Sequence, residues 1–258
     1  MSKLDQLFDM SDRVAVVTGS TKGMGLAIAR ALGAAGAKLI ISSRSEETAK
    51  ATADRLTREE KITARGIGCD IANMESVSRF AKQAQEAFGR VDALVLNAAG
   101  SPPVGSILAH GVKELDQSIS GLLGGNLFLI KELLPQMLAR KDGSIVLLSS
   151  ILAQRGSNVL GLYGMAKAAT DQLVRNLVAE IGASNVNANS INPTVVRTDF
   201  SRGLWENPDV EKQWTSRIPL GRIAEAQDVA GLALLLASKA GRYITGQSIL
   251  VDGGQTAV

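Results

Sequence analysis

Val14-Ala15-Val16-Val17-Thr18-Gly19-Ser20-Thr21-Lys22-Gly23-Met24-Gly25 decides the architecture of this chain. Four apolar residues in a row read as a buried strand, and Gly19 stops it. From Met24 to Gly36 the apolar residues Leu26, Ile28, Ala29 and Leu32 recur at helical spacing, and a glycine closes the segment. A strand, a loop with three glycines and a helix make a phosphate cradle. The glycines permit a tight turn, close backbone approach to a pyrophosphate and close helix-to-strand packing. The helix start adds unpaired N–H groups and the positive end of its dipole.

Outward from this unit, strand and helix signals alternate to the end of the chain. Strands are expected over 38–42, 62–68, 92–96, 144–148, 187–191 and 248–251, and helices over 46–60, 73–88, 112–120, 122–140, 161–181 and 226–238. Asn73 stands where it can cap the helix that follows it. This alternation means βαβ units. The expected fold is α/β, a single-domain doubly wound parallel sheet (Rossmann fold) over residues 1–258 with helices on both faces. No linker or repeat interrupts it.

Composition narrows the function. The 28 basic and 25 acidic residues are mixed along the sequence, and aromatics are only 3%. No basic run or aromatic-studded stripe suggests nucleic acid. The single cysteine, Cys69, excludes an intrachain disulfide framework, and with one histidine, His110, no metal cluster is expected. His110 reads as a surface residue. The stretch from Met1 to Asp12 has no apolar signal core, and no apolar run is long enough to span a bilayer. A cytoplasmic protein without membrane contact is expected.

The end of the second strand chooses between dinucleotides. A carboxylate there accepts hydrogen bonds from the ribose hydroxyls of NAD, whereas cations favour the extra phosphate of NADP. Here Ile41-Ser42-Ser43-Arg44 holds no acid, and Lys22 lies in the glycine loop. Ser43, Arg44 and Lys22 therefore point to NADP(H).

Further along, Tyr163 and Lys167 stand four apart in a helix-forming stretch and share one face. A phenol ordinarily titrates near ~10. A cation about 4 Å away, at an effective dielectric of about 20, contributes roughly 4 kcal/mol. That lowers the phenol's pKa by up to about 3 before desolvation opposes it. The sequence thus leads to an acidified Tyr163, fit for proton transfer near neutral pH.

With these residues in place, the chain resembles the short-chain dehydrogenase/reductase family over nearly its whole length. Residues Gly19, Ser20, Thr21, Lys22, Gly23, Met24 and Gly25 look like its cofactor loop. Asp70-Ile71 resembles its adenine contact, and Asn97-Ala98-Ala99-Gly100 the motif that supports the sheet and lines the cofactor's ribose. Tyr163-Gly164-Met165-Ala166-Lys167 matches YxxxK, and Ser150 precedes the tyrosine by thirteen residues, the family's catalytic spacing. The segment from Asn192 to Thr198, with Pro193, Val196 and Thr198, is similar to the one that holds the nicotinamide carboxamide. Tyr243-Ile244-Thr245-Gly246-Gln247 is similar to the C-terminal signature. The look is nearest to the group with 3-oxoacyl carrier-protein reductases and sugar or polyol dehydrogenases.

The resemblance implies hydride transfer between NADP(H) and a ketone or secondary alcohol. Tyr163 would act as general acid or base, Lys167 would tune it and hold the nicotinamide ribose, and Ser150 would steady the carbonyl oxygen. One departure bears on activity. The family's helix asparagine falls on Leu122, with Asn126 one turn later, and Gly121, Gly124 and Gly125 loosen the segment. The main-chain carbonyl of Leu122 can still serve a proton relay, but the side chain that steadies a local helix distortion is lost. Reduced activity relative to a Leu122→Asn variant is expected. The alternative is an NADP-binding protein with weak or no catalysis, in a regulatory or scaffold role. Thr194, where glycine is common, is a smaller departure.

Residues 200–218, with Trp205 and Trp214, suggest a mobile lid over the substrate. Ser150, Leu152, Tyr163 and Trp205 are the candidate substrate contacts, with Ile151 and Gln154 on the same wall and Pro102, Pro103 and Val104 near the entrance. The substrate is expected to be a small-molecule carbonyl or alcohol of medium size. Related proteins are usually tetramers built through two long helices and the C-terminal strand. A homotetramer is expected here, with a dimer as the alternative.

Overall fold

Val14–Val17 forms β1, an inner strand of the computed structural model, which describes residues 2–258. Its side chains alternate between faces, Val14 and Val16 toward one core and Ala15 and Val17 toward the other. Six more strands follow: β2 (Lys38–Ser43), β3 (Ala64–Gly68), β4 (Ala93–Leu96), β5 (Gly143–Leu148), β6 (Val186–Pro193) and β7 (Ser248–Val251). They pair in parallel in the order β3-β2-β1-β4-β5-β6-β7. The fold is therefore the doubly wound α/β architecture that the alternation predicts. The order reverses at β1, so a crevice opens between the carboxyl ends of β1 and β4, where such sheets bind ligands.

Helices α2 (Gly23–Ala34), α3 (Glu46–Glu60) and α9 (Ala226–Ala237) cover one face. Helices α4 (Met74–Phe88), α6 (Gly125–Arg140) and α7 (Gly161–Ile181) cover the other. Asn73 caps α4, accepting from the N–H of Ser76 at 3.0 Å. Helix α3 spans the predicted residues and starts on Ser45, whose hydroxyl accepts from the N–H of Thr48.

Two segments differ from expectation. Lys3–Phe8 forms a short helix, α1, within the stretch taken as merely polar; Met1, its first residue, lies outside the described residues. Ser2 and Asp5 close it with reciprocal bonds of 3.1 and 2.7 Å, a capping box that replaces burial as the reason it forms. The helical stretch after residue 112 is divided: α5 (Val112–Ile119) runs through a π-helical turn, Ser120–Gly124, into α6. The proposed lid holds a 3₁₀ turn, Asp199–Leu204, and α8 (Pro208–Thr215).

At the amino end of the sheet, far along the strands from the crevice, Asp92 is 2% exposed. It accepts from the N–H of Val14 and from Arg90, with Arg13 at 3.6 Å and Arg140 at 3.7 Å. Among the described residues, no helix is long and apolar enough to cross a membrane.

Candidate active site

The glycine cradle forms where the sequence places it. Gly19 and Gly23 have φ of +61° and +56°, which strains any side chain. A Cβ on Gly25 would lie 2.3 Å from the Gly19 carbonyl oxygen, so only glycine lets α2 approach the loop this closely. No side chain caps the start of α2, in contrast to α3 and α4, and its first N–H groups are left for an anion. These features fit a dinucleotide pyrophosphate.

Several loop side chains turn out to brace the crevice. Ser20 is fully buried; its hydroxyl donates to the Val17 carbonyl at 2.6 Å and accepts from the N–H of Ser42. Thr18 Oγ1 accepts from the N–H groups of Asn97 and Ala98, at 3.0 and 2.9 Å. The Asn97 amide donates back to the carbonyls of Thr18 and Gly19. These bonds clamp the β1 and β4 ends together and set the width of the cleft. Ala99 follows on the exposed loop side.

Around the outer cleft, Ser43 ends β2 half-buried and Arg44 is exposed just beyond it. Lys22 is exposed too, but its Nζ already donates to Asp199 at 2.9 Å. Asp199 also accepts from Arg202, and those two cations hold its carboxyl below the usual range. Sequence reasoning missed Asp199 because it lies 177 residues from Lys22. Asp70 is exposed after β3, and Ile71 is buried against Gly125, whose missing Cβ would meet the Ile71 carbonyl.

Ser150, Tyr163 and Lys167 come together at the β5 end. Ser150 follows β5, and its Oγ accepts from the N–H of Leu152 at 3.2 Å, starting the turn Ile151–Ala153. A Cβ on Gly164 would sit 2.9 Å from the Leu152 carbonyl oxygen, so that glycine lets the Ser150 turn rest on the first turn of α7 beside Tyr163. Lys167 is 4% exposed, and its Nζ donates to the Leu148 carbonyl at 2.6 Å.

The electrostatics correct the expected acidification. Burial pushes the Tyr163 phenol up to about 12, while the Ser150 hydroxyl pulls it down. The Lys167 ammonium lies 5.6 Å from the ring centroid and is spent on the Leu148 carbonyl, so desolvation outweighs its attraction. Burial also draws Lys167 down to about 8, against the pull of Asp171.

Leu122 sits inside the π-turn, and the distortion forms without an asparagine there. Asn126 Nδ2 donates to the Leu122 carbonyl at 3.2 Å, from one turn later. The side chain set aside in the sequence is thus the one that serves this turn. Asn126 Oδ1 is buried with no partner.

Pro193 at the end of β6 and Val196 beyond it are buried, and Thr198 is half-buried, its methyl facing the Gly23 turn. Thr194 bonds Gln255 and reaches the Val251 carbonyl. Trp205 is folded onto residues 197–201: its indole N–H donates to the Thr198 carbonyl and Ser201 Oγ, and the Arg197 guanidinium stacks 5.1 Å from the ring centroid. Leu152 is half-buried on the site's wall, beside buried Ile151, and Gln154 is exposed. Pro102 and Pro103 are half-buried and Val104 exposed.

A family model described as enoyl-(acyl carrier protein) reductase matches residues 19–256. Dehydrogenase/reductase SDR family member 4 of Bos taurus is 35% identical over 245 residues, covering 95% of this chain and 88% of the relative. A gluconate 5-dehydrogenase from Burkholderia cenocepacia, in complex with NADP and tartrate, superposes with a TM-score of 0.93 at 28% identity, over 99% of each chain. A 7α-hydroxysteroid dehydrogenase complexed with NADH and 7-oxo glycochenodeoxycholic acid gives 0.92 at 28% identity, over 98% of each chain. Similar chains thus carry either nicotinamide dinucleotide.

Proposed function

The chain belongs to the short-chain dehydrogenase/reductase family, an oxidoreductase family, and from that premise we propose that it transfers hydride between NADP(H) and a ketone or secondary alcohol. The observation that carries the proposal is the meeting of Ser150 and Tyr163 beside buried Lys167, at the same sheet end as the glycine cradle.

When bound, the nicotinamide gives or takes the hydride. Gly19 to Gly25 would hold the pyrophosphate, and Asp70, Ile71, Asn97, Ala98 and Ala99 would line the adenosine side. Pro193, Val196 and Thr198 would border the nicotinamide. Tyr163 hands a proton to the carbonyl oxygen, and a phenol held protonated at neutral pH suits that reducing direction. Ser150 spends an Oγ lone pair on Leu152 and keeps its O–H for the same oxygen. Lys167 keeps a positive charge beneath them.

Arg44 and Lys22, with no acid at the β2 end, support NADP(H) over NAD(H). Asp199 competes with a 2′-phosphate for Lys22, but an exposed ion pair of this kind is weak and yields to a dianion. The Asp199→Asn variant should lower KM for NADPH several-fold and leave that for NADH unchanged. Equal changes for both would show that Asp199 acts on the lid alone.

Ile151 and Leu152 give an apolar wall suited to a medium-sized substrate, and Trp205 would border it from the side of residues 200–218. The rival reading, a nucleotide-binding protein without chemistry, draws on Leu122, yet the turn at that position is built with leucine in place. Exposed Leu127 and Phe128 on α6, Met165 on α7 and Leu250 on β7 support a homotetramer, which sedimentation would distinguish from a dimer. A cytoplasmic setting fits the unpaired, buried Cys69.

A panel of carbonyl compounds with NADPH, followed by nicotinamide absorbance, tests the reading. Tyr163→Phe should lose at least ~100-fold in turnover while binding NADPH as tightly as before. Near-native turnover in that variant would end the proposal.

A further inference from the structure

Asp171, one helical turn beyond Lys167, is 4% exposed and takes no part in the steps above. Ser190 Oγ donates to its Oδ1 at 2.8 Å, and Asn192 Nδ2 donates to its Oδ2 at 2.7 Å. The second hydrogen of the Asn192 amide goes to the Ser150 carbonyl at 3.1 Å. With two acceptors on one end, the amide's orientation is fixed, and Asn192 Oδ1 is left without a partner. One buried chain of bonds therefore joins Asp171 to the backbone of Ser150.

Both oxygens of Asp171 accept, and both donors are neutral, so the negative charge needs a cation. Lys167, on the same face of α7, is the buried cation beside it. Its other neighbours carry no charge: the Leu148 carbonyl at the end of β5 and Ser149 just after it, Ser190 and Asn192 from β6, Ser248 from β7, and the π-turn. Tyr163 is the remaining titratable group. On α5, Glu114 is turned to the N–H of Gly111, and Lys113 and Asp116 are exposed.

We propose that Asp171 is a positioning residue and the counter-ion of Lys167, keeping the lysine protonated inside the protein and, through Asn192, holding that charge at a fixed place relative to Ser150. The direction of the charge effect agrees: burial draws the ammonium down, and the carboxylate opposes it. The role rests on the hydride-transfer reading above.

Asp171→Asn tests it in the full-length protein. Its carbonyl reduction should match the unmodified chain within several-fold at pH near 6 and fall away about one pH unit earlier as pH rises. Ser190→Ala, which keeps the carboxylate, should leave that limb in place. A loss of equal size at every pH would overturn the proposal. Thermal unfolding gives a readout independent of activity: Asp171→Asn should lower Tm in the unmodified chain and raise it in a Lys167→Met background. Equal effects in both backgrounds would also overturn it. If the unmodified chain reduces no carbonyl, the hydride-transfer reading fails instead, and the unfolding cycle still decides whether the two charges are coupled.

Discussion

Lys167 carries its charge inside the protein, and that decides how the site responds to pH. Rates of carbonyl reduction should be flat through neutral pH and fall as the ammonium titrates near about 8. Stability runs the other way. The native lysine sheds its proton at about 8 and the unfolded one at its ordinary 10.5. Between those values the unfolded chain binds more protons, so the unmodified protein should gain stability with rising pH relative to Lys167→Met. Thermal scans from pH 7 to 10 measure this, and a flat difference would contradict it. Cys69 offers a second residue-level test. Burial pushes its thiol up to about 12, so iodoacetamide should leave the native protein unlabelled at pH 8 and label it in denaturant. Spacing made Ser150, Tyr163 and Lys167 legible in the sequence. The strength of their surroundings was not, because desolvation depends on what the fold lays over the phenol.

Helix α7 (Gly161–Ile181) and helix α3 (Glu46–Glu60) are legible to the residue, since apolar spacing and end signals agree there. The π-turn at Ser120–Gly124 is not. Its glycines mark a loosened stretch, but a π-turn has no spacing of its own. Only the structure shows Asn126 reaching back to the Leu122 carbonyl. Asn126→Ala should cost about 1 kcal/mol through that lost bond. For a domain of this size the drop in Tm is roughly 2–4 °C. An unchanged Tm would mean the bond is idle. Leu122→Asn, expected from the sequence to speed the enzyme, would bury an amide at a site 2% exposed and should lower stability by about 1–3 kcal/mol. Helix α1 escaped notice because six residues with no buried face leave no periodic mark.

Across the whole molecule, the sheet separates chemistry from anchorage. Its carboxyl end carries the cleft; its amino end carries Asp92, ringed by Arg13, Arg90 and Arg140. Asp92→Ala removes the acceptor for the Val14 N–H and leaves three arginines facing one another. Because those arginines reach solvent, the cost should be on the order of 2 kcal/mol rather than the full penalty of a buried orphan charge. Turnover per folded molecule should hold, and a loss of turnover at constant Tm would show that the two ends communicate. The parallel, doubly wound sheet followed from the alternation of elements, while this ring did not, since its members lie far apart in sequence.

Arg197 has a practical bearing on how such proteins diverge. One guanidinium grips Glu211 on α8, Glu225 before α9 and the ring of Trp205 just after the 3₁₀ turn. The 3₁₀ turn and α8 are therefore tied to one and the same side chain. A graft that swaps residues 199–217 for those of a relative will seat only if the incoming segment presents a carboxylate and an aromatic ring to that side chain.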